Sequence, residues 1–192
     1  MRPWLLSFLF LPTLAAHADP RTDVQHAFEG VISSGGFRGY AQGNVFGPDL
    51  PAVSGDVDVL FPDRIHVRSD ALEFVVAGNR GWVSAFGVWT PADRSLLPVT
   101  AFDMRAMRDA IATIRDVTPQ GTAKTSQCQA HVYRFRSNGK LPGAGSEGDL
   151  RVWLCDGNGR PARLEAIDAA SAGKLVFDFD WAHRPDVRVP AG

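Results

Sequence analysis

Between Val53 and Trp89, apolar and polar residues alternate in short runs, and turn-forming residues cut each run from the next. A period of two marks strands with one dry and one wet face, and short runs joined by tight turns make an antiparallel meander. In Gly55–Phe61, the residues Val57, Val59 and Phe61 share one face, and Asp56 and Asp58 share the other. Pro62-Asp63 turns the chain. Ile65 and Val67 then alternate with His66 and Arg68, Ser69-Asp70 turns again, and Leu72, Phe74 and Val76 line the next face. Ala77–Gly81 is a glycine-bearing hairpin loop. Trp82–Trp89 reads as one strand apolar on both sides: Trp82, Phe86 and Val88 on one, Val83, Ala85 and Trp89 on the other. One side meets the core, and the other needs a cover, a partner or a ligand.

Upstream, Met1–Ala18 has the layout of a secretory leader. Arg2 is the basic start, Trp4–Leu14 the apolar run, and Ala16-His17-Ala18 the cleavage motif. The apolar run is too short to span a bilayer. The expected product is one soluble, exported domain over 19–192, with no cysteine near the cleavage site to carry a lipid. Asp19-Pro20 opens a helix, a capping acceptor followed by proline at the first helical position. Val24, Ala27, Phe28, Val31 and Ile32 form its apolar stripe, and Ser33–Gly36 ends it. Phe37–Phe46 reads as a strand, and Gly47–Pro51 as the loop into the meander.

Beyond Trp89 the pattern changes. Thr90–Pro98 reads as a loop. Thr100 and Asp103 approximate a capping box for a second helix, whose stripe is Met104, Met107, Ile111 and Ile114. Its methionines either fill gaps in a core or make an adaptable lid over a cavity. Val117–Lys124, Gln127–Arg136, Glu147–Asp156 and Arg160–Ala169 follow as strands. If Arg136 and Glu147 close a hairpin, Cys128 falls opposite Cys155, Tyr133 opposite Leu150, and His131 opposite Val152. Opposed residues on antiparallel strands lie within disulfide reach, so an exported chain with this pair is expected to form the bond. In the last strand, Lys174–Ala182, the side chains of Phe177, Phe179 and Trp181 face one way and Asp178 and Asp180 the other. The tail from Pro185 is expected to extend along the sheet edge.

Chemistry-bearing patterns are sparse. Gly143–Gly148 matches G-x-G-x-x-G, but it sits in a hairpin loop leading into a strand, where no helix N-terminus can meet a pyrophosphate. The carboxylate pairs Asp56/Asp58 and Asp178/Asp180 alternate with large apolar residues, as a solvated strand face does. His26, His66, His131 and His183 show no zinc-ligand spacing. The formal charge of −1 offers no basic excess for nucleic acid. These readings give no cofactor, no metal, no nucleic-acid partner and no enzyme.

The order of elements nevertheless carries a likeness. A leader and an amphipathic helix precede a meander containing Phe61-Pro62-Asp63-Arg64 and Gly78-Asn79-Arg80-Gly81-Trp82. A second helix, a cysteine-bearing hairpin, Gly159–Glu165 and a closing aromatic strand follow. This resembles the LolA-like superfamily of periplasmic lipoprotein carriers and related mycobacterial lipid-binding lipoproteins. The resemblance implies an α+β fold, a strongly curved antiparallel β-sheet (a half-open β-barrel) with helices covering the concave face. It implies a soluble periplasmic carrier whose hydrophobic cavity takes a lipid or the acyl chains of a lipoprotein. Cavity candidates are Phe61, Ile65, Val67, Phe74, Val76 and Trp82 from the meander. Met104, Met107 and Ile111 are candidates from the second helix, and Phe177, Phe179 and Trp181 from the last strand. Arg38 and Arg64 are head-group candidates, or else plain surface residues. The alternative is a non-catalytic interaction module of the same fold with a filled cavity, contacting an envelope membrane protein through a sheet edge or the face bearing Trp153.

Overall fold

A computed structural model describes residues 19–43, 53–69, 72–97, 104–139, 141, 148–167 and 175–190. The leader, the glycine motif at 143–148 up to Glu147, and the Thr100/Asp103 cap lie outside the described residues. Helix α1 spans Pro20–Ser33, with Asp19 as its cap accepting from the Arg21 amide at 3.2 Å. Strands β1 (Gly36–Gly43), β2 (Val53–Leu60), β3 (Arg64–Ser69), β4 (Glu73–Ala77), β5 (Arg80–Ala85) and β6 (Val88–Ala92) form a first meander. A 3-10 turn at Arg94–Leu96 follows, then helix α2 at Met104–Ala112. The second meander is β7 (Arg115–Lys124), β8 (Gln129–Ser137), β9 (Gly148–Cys155), β10 (Pro161–Ile167) and β11 (Leu175–Asp180). All eleven strands join one antiparallel sheet in the order β6-β5-β4-β3-β2-β1-β11-β10-β9-β8-β7. The β1–β11 pairing welds the two meanders, and the segment holding α2 carries the chain from one edge of the sheet to the other.

The apolar stripe of α1 (Val24, Phe28, Val31) and that of α2 (Met107, Ile111) are buried in the same cluster as one face of the sheet. That face supplies Phe37, Val57, Val59, Ile65, Val67, Phe74, Val76, Phe135, Leu150, Val152, Leu164, Phe177 and Phe179. The alternation therefore works as the sequence predicts along β1 to β4 and β8 to β11, where every second residue faces the core. Gly39 makes room for this packing. A Cβ there would lie 2.4 Å from a Phe177 ring carbon and 2.5 Å from the Asp178 carbonyl.

Several expectations are corrected. Trp82–Trp89 is two strands, turned at Phe86-Gly87, where φ is 53° and 78°. The two positive φ values give the hairpin its tight reversal, although phenylalanine is an unusual residue for that conformation. Phe61 belongs to a turn rather than to β2, yet its ring still reaches Phe37 at 6.0 Å. The β8–β9 register is displaced by two residues from the expected one: Ala130 faces Cys155, Tyr133 faces Val152, and His131 faces Leu154. The disulfide forms all the same, between Cys155 and a Cys128 that lies just before β8, with Cα atoms 5.6 Å apart.

The outer face of the sheet is not uniformly wet. Asp58 is fully buried there, accepting from Arg68 Nη2 at 2.6 Å, with Arg38 Nε at 3.9 Å. The expected extended tail does not follow an edge. It crosses this outer face, and Val187 packs into a small cluster with Val75 and Trp82.

Candidate functional site

Helix α1 is flanked by two open clefts. The first, about 730 Å³, lies between α1 and α2. Gln25, Glu29, Ile32 and Ser33 line it from α1, and Met104, Arg108, Ile111 and Ala112 from α2. The last carbonyls of a helix have no partner within it, and α1 supplies them here. Gln25 Nε2 donates to the Ile111 carbonyl at 3.1 Å and Arg21 Nη2 to that of Ala112 at 3.5 Å. The two helices are thus joined by a few polar contacts above an apolar floor.

The second cleft, about 580 Å³, lies between α1 and the β9–β10 turn. Ala27, Val31, Leu154, Pro161 and Trp181 give it apolar walls, and Asp23, His26, His131, Asp156 and Arg160 a polar rim. The Trp181 ring stacks on Phe179 with planes 2° apart, donates from Nε1 to the Pro161 carbonyl at 2.7 Å, and lies 5.1 Å beneath the Arg160 guanidinium. Tyr133 donates its hydroxyl to Asp23 at 3.3 Å, tying β8 to α1.

Burial, and then the Asp23 carboxylate, push the Tyr133 phenol above its usual 10.0. A pKa raised on folding means that the native state holds the proton more tightly, so stability is full below pH 10 and falls as pH rises through the native value. Tyr133→Phe is expected to flatten that alkaline fall and to cost about 1 kcal/mol at neutral pH. Urea titrations of both forms at pH 7 and above pH 10 measure it; parallel pH profiles would refute the assignment.

The structure distributes the sequence-predicted cavity residues unevenly. Ile65, Val67, Phe74, Val76, Met107, Phe177 and Phe179 are packed against one another beneath the helices rather than lining open space. Met104 and Ile111 line the first cleft, and Trp181 the second. Phe61 is half-buried at the core's margin. Trp82 is on the opposite face, paired with Val75, because Gly81 and Val83 take the inward positions of β5. Both head-group candidates are also displaced. Arg38 sits on the outer face, 3.6 Å from Asp56 and 3.9 Å from Asp180, and Arg64 is exposed beside Leu60 and Ala77. Since Phe37 and Ile65 point inward, their neighbours Arg38 and Arg64 must point out. Asp23, His131 and Asp156 were missed, because nothing in their spacing brings them together; only the α1–β8 packing does.

Among the described residues, no group of three His, Cys, Asp or Glu side chains is placed to hold a metal ion. No described helix is long and apolar enough to cross a membrane. Apolar walls with polar rims suit the holding of a hydrocarbon chain whose polar end stays at the opening.

No protein-family model and no curated protein matches the sequence. Solved structures do match. The Mycobacterium tuberculosis lipoprotein LppX aligns over 88% of this chain and 98% of its own, with a TM-score of 0.63 at 15% identity. LprF from Mycobacterium bovis aligns over 90% and 97%, with a TM-score of 0.65 at 13% identity. The chain shares the fold of these two proteins. MucB shares it over 92% of this chain and 64% of its own, with a TM-score of 0.53 at 14% identity. At these identities the likeness is one of architecture.

Proposed function

We propose that this chain is an exported, non-catalytic protein of the bacterial envelope that takes the acyl chain of a lipid, or of an acylated protein, under its helices. In this reading the sheet bends into a half-open barrel, α1 and α2 are its cover, and the leader at 1–18 directs the chain to the periplasm. The observation that carries it is the α1–α2 cleft. Its floor is Ile32, Met104 and Ile111, and its rim is Gln25, Glu29 and Arg108. A hydrocarbon chain entering there meets flexible, polarisable side chains, and each buried methylene contributes about 0.8 kcal/mol. The lipoprotein LppX shares this architecture, which supports the reading.

Met104→Trp fills the cleft from a half-buried position without opening the core. It is expected to weaken uptake of a fluorescent fatty acid at least 10-fold while leaving the melting temperature within about 2 °C, as surface substitutions do. Equal uptake by both forms would remove the site from this cleft, and no uptake by the native chain would remove the function.

One observation favours the filled interaction module instead. Phe28, Phe37, Phe135, Phe177 and Phe179 are all buried to 1% exposure or less, so the space beneath the helices is occupied by the chain itself. A native chain that yields no lipid on extraction and takes up no fatty acid favours that reading.

A further inference from the structure

The residues that the acyl site does not use are gathered on the opposite face of the sheet, under the tail. Cross-strand pairing sets Arg38, Asp58, His66, Val75 and Trp82 in one row across β1 to β5. Asp58 is fully buried on this face although its strand neighbours Val57 and Val59 point to the helices. One of its oxygens accepts from Arg68; the other accepts the main-chain N–H of Asp186 at 3.4 Å. His66 completes the charged end of the row, with Nδ1 3.1 Å from Arg68 Nη1 and Nε2 3.0 Å from Glu73 Oε1. Beside it Val75 and Trp82 form an apolar socket, flanked by Leu60, Ala77 and Trp89, and Val187 fills it.

The tail is held there lightly. Of residues 184–190 only Val187 is buried; Arg184, Asp186, Arg188 and Val189 are exposed. The Val187 side chain and the long Asp186 N–H contact, with Pro185 and Pro190 half-buried, must offset the ordering of seven residues, each of which loses backbone freedom. The site beneath combines a buried carboxylate aimed at a main-chain N–H with an adjoining apolar socket of Val75 and Trp82, and an aromatic-lined groove is one of the surfaces that hold an extended peptide.

The geometry points to the outer face of β2–β5 as a peptide-binding groove that the chain's own tail occupies in cis. The partner it fits is an extended segment of another protein, presenting a β-branched aliphatic side chain to Val75 and Trp82 and the preceding N–H to Asp58. The occupant seen here, Asp186-Val187, is the pattern for that segment. This face is independent of the acyl cleft and stands or falls apart from it.

The experiment uses the full chain and a fluorescein-labelled peptide of residues 184–190. Val187→Asp brings a carboxylate to an apolar socket beside Asp58 and releases the tail. The labelled peptide is expected to bind this variant at least 10-fold more tightly than the wild-type chain, by anisotropy, and the same peptide carrying Val187→Asp is expected to show no saturable binding. Hydrogen exchange on the wild-type chain supplies the second measurement. Amides of 186–189 should exchange at least 100-fold faster than those of β2–β4, through opening of the tail alone. Equal peptide affinity for both chains overturns the proposal. So does a tail that exchanges as slowly as the sheet, or a variant that fails to fold, since either makes the tail an integral part of the fold. A wild-type dimer that dissociates on Val187→Asp would replace the partner segment by a second copy's tail and likewise overturns it.

Discussion

Phe177→Ala is expected to lower stability by about 3–5 kcal/mol, the range for emptying a fully buried phenylalanine site, and the melting temperature by roughly 6–20 °C for a chain of this size. The ring is fully buried at the weld between the two meanders. It meets Phe179 at 4.9 Å and the edge of Phe37 at 5.7 Å, and it occupies the space over Gly39 where a Cβ would stand. These neighbours are held by the β1–β11 ladder and cannot collapse into the void, so both the transfer and the cavity terms apply in full. The hole would be lined by aromatic rings and main chain, and apolar holes of this kind stay dry and take up small apolar molecules. Benzene or xenon should therefore raise the melting temperature of the variant and not that of the native chain. Calorimetry with and without ligand measures both effects. A loss below about 1 kcal/mol, typical of a loosely held side chain, would mean that the ring already borders open space. The interior would then be the hollow that a carrier keeps, not the filled core of the interaction module.

How far the sequence already contained this arrangement depends on the kind of signal. Val57, Val59, Ile65, Val67, Phe177 and Phe179 were legible as one face, because a period of two survives errors of boundary and register. Asp58 was legible as facing away from them, but not as buried: what covers it is Val187 and the Asp186 N–H, more than a hundred residues on, and no local pattern records that crossing. Trp82 was misplaced for a different reason. A run apolar on both sides does not say which side is in, and the Phe86-Gly87 turn lacks the Asn-Gly or Asp-Gly that would have cut the run in two. Arg38 and Arg64, offered as head-group candidates or as plain surface residues, stand on the outer face with Asp58, where alternation alone sends them. The β8–β9 register erred by two, the displacement that hydrophobic pattern cannot detect, because it returns every side chain to the same face. The ladder itself carries the shift, with Ala130 opposite Cys155 and the Asp156 amide donating to the Gln129 carbonyl at 2.9 Å.

Replacing both cysteines, Cys128→Ser with Cys155→Ser, is expected to lower the melting temperature by about 10 °C, because the closed loop of about 28 residues corresponds to roughly 3–4 kcal/mol of lost chain entropy in the unfolded state. The loop contains the whole β8–β9 hairpin, including residues 142–147, and a long closed loop is where a crosslink restricts the unfolded chain most. The native side should respond locally. Cys155 lines the cleft with Asp156 and Arg160, and the bond anchors the start of β8, which β7 pairs on its other side through Thr122–Lys124, to the end of β9. The amides of Gln129–Val132 should thus exchange faster in the double variant, while those of β2–β4, on the far side of the β1–β11 weld, keep their protection relative to global unfolding. Thermal melts of the variant, and of the native chain with and without reductant, provide the test. A shift under about 2 °C would mean that the hairpin is equally constrained without the bond, and that the β8–β9 pairing, not the crosslink, limits the unfolded chain.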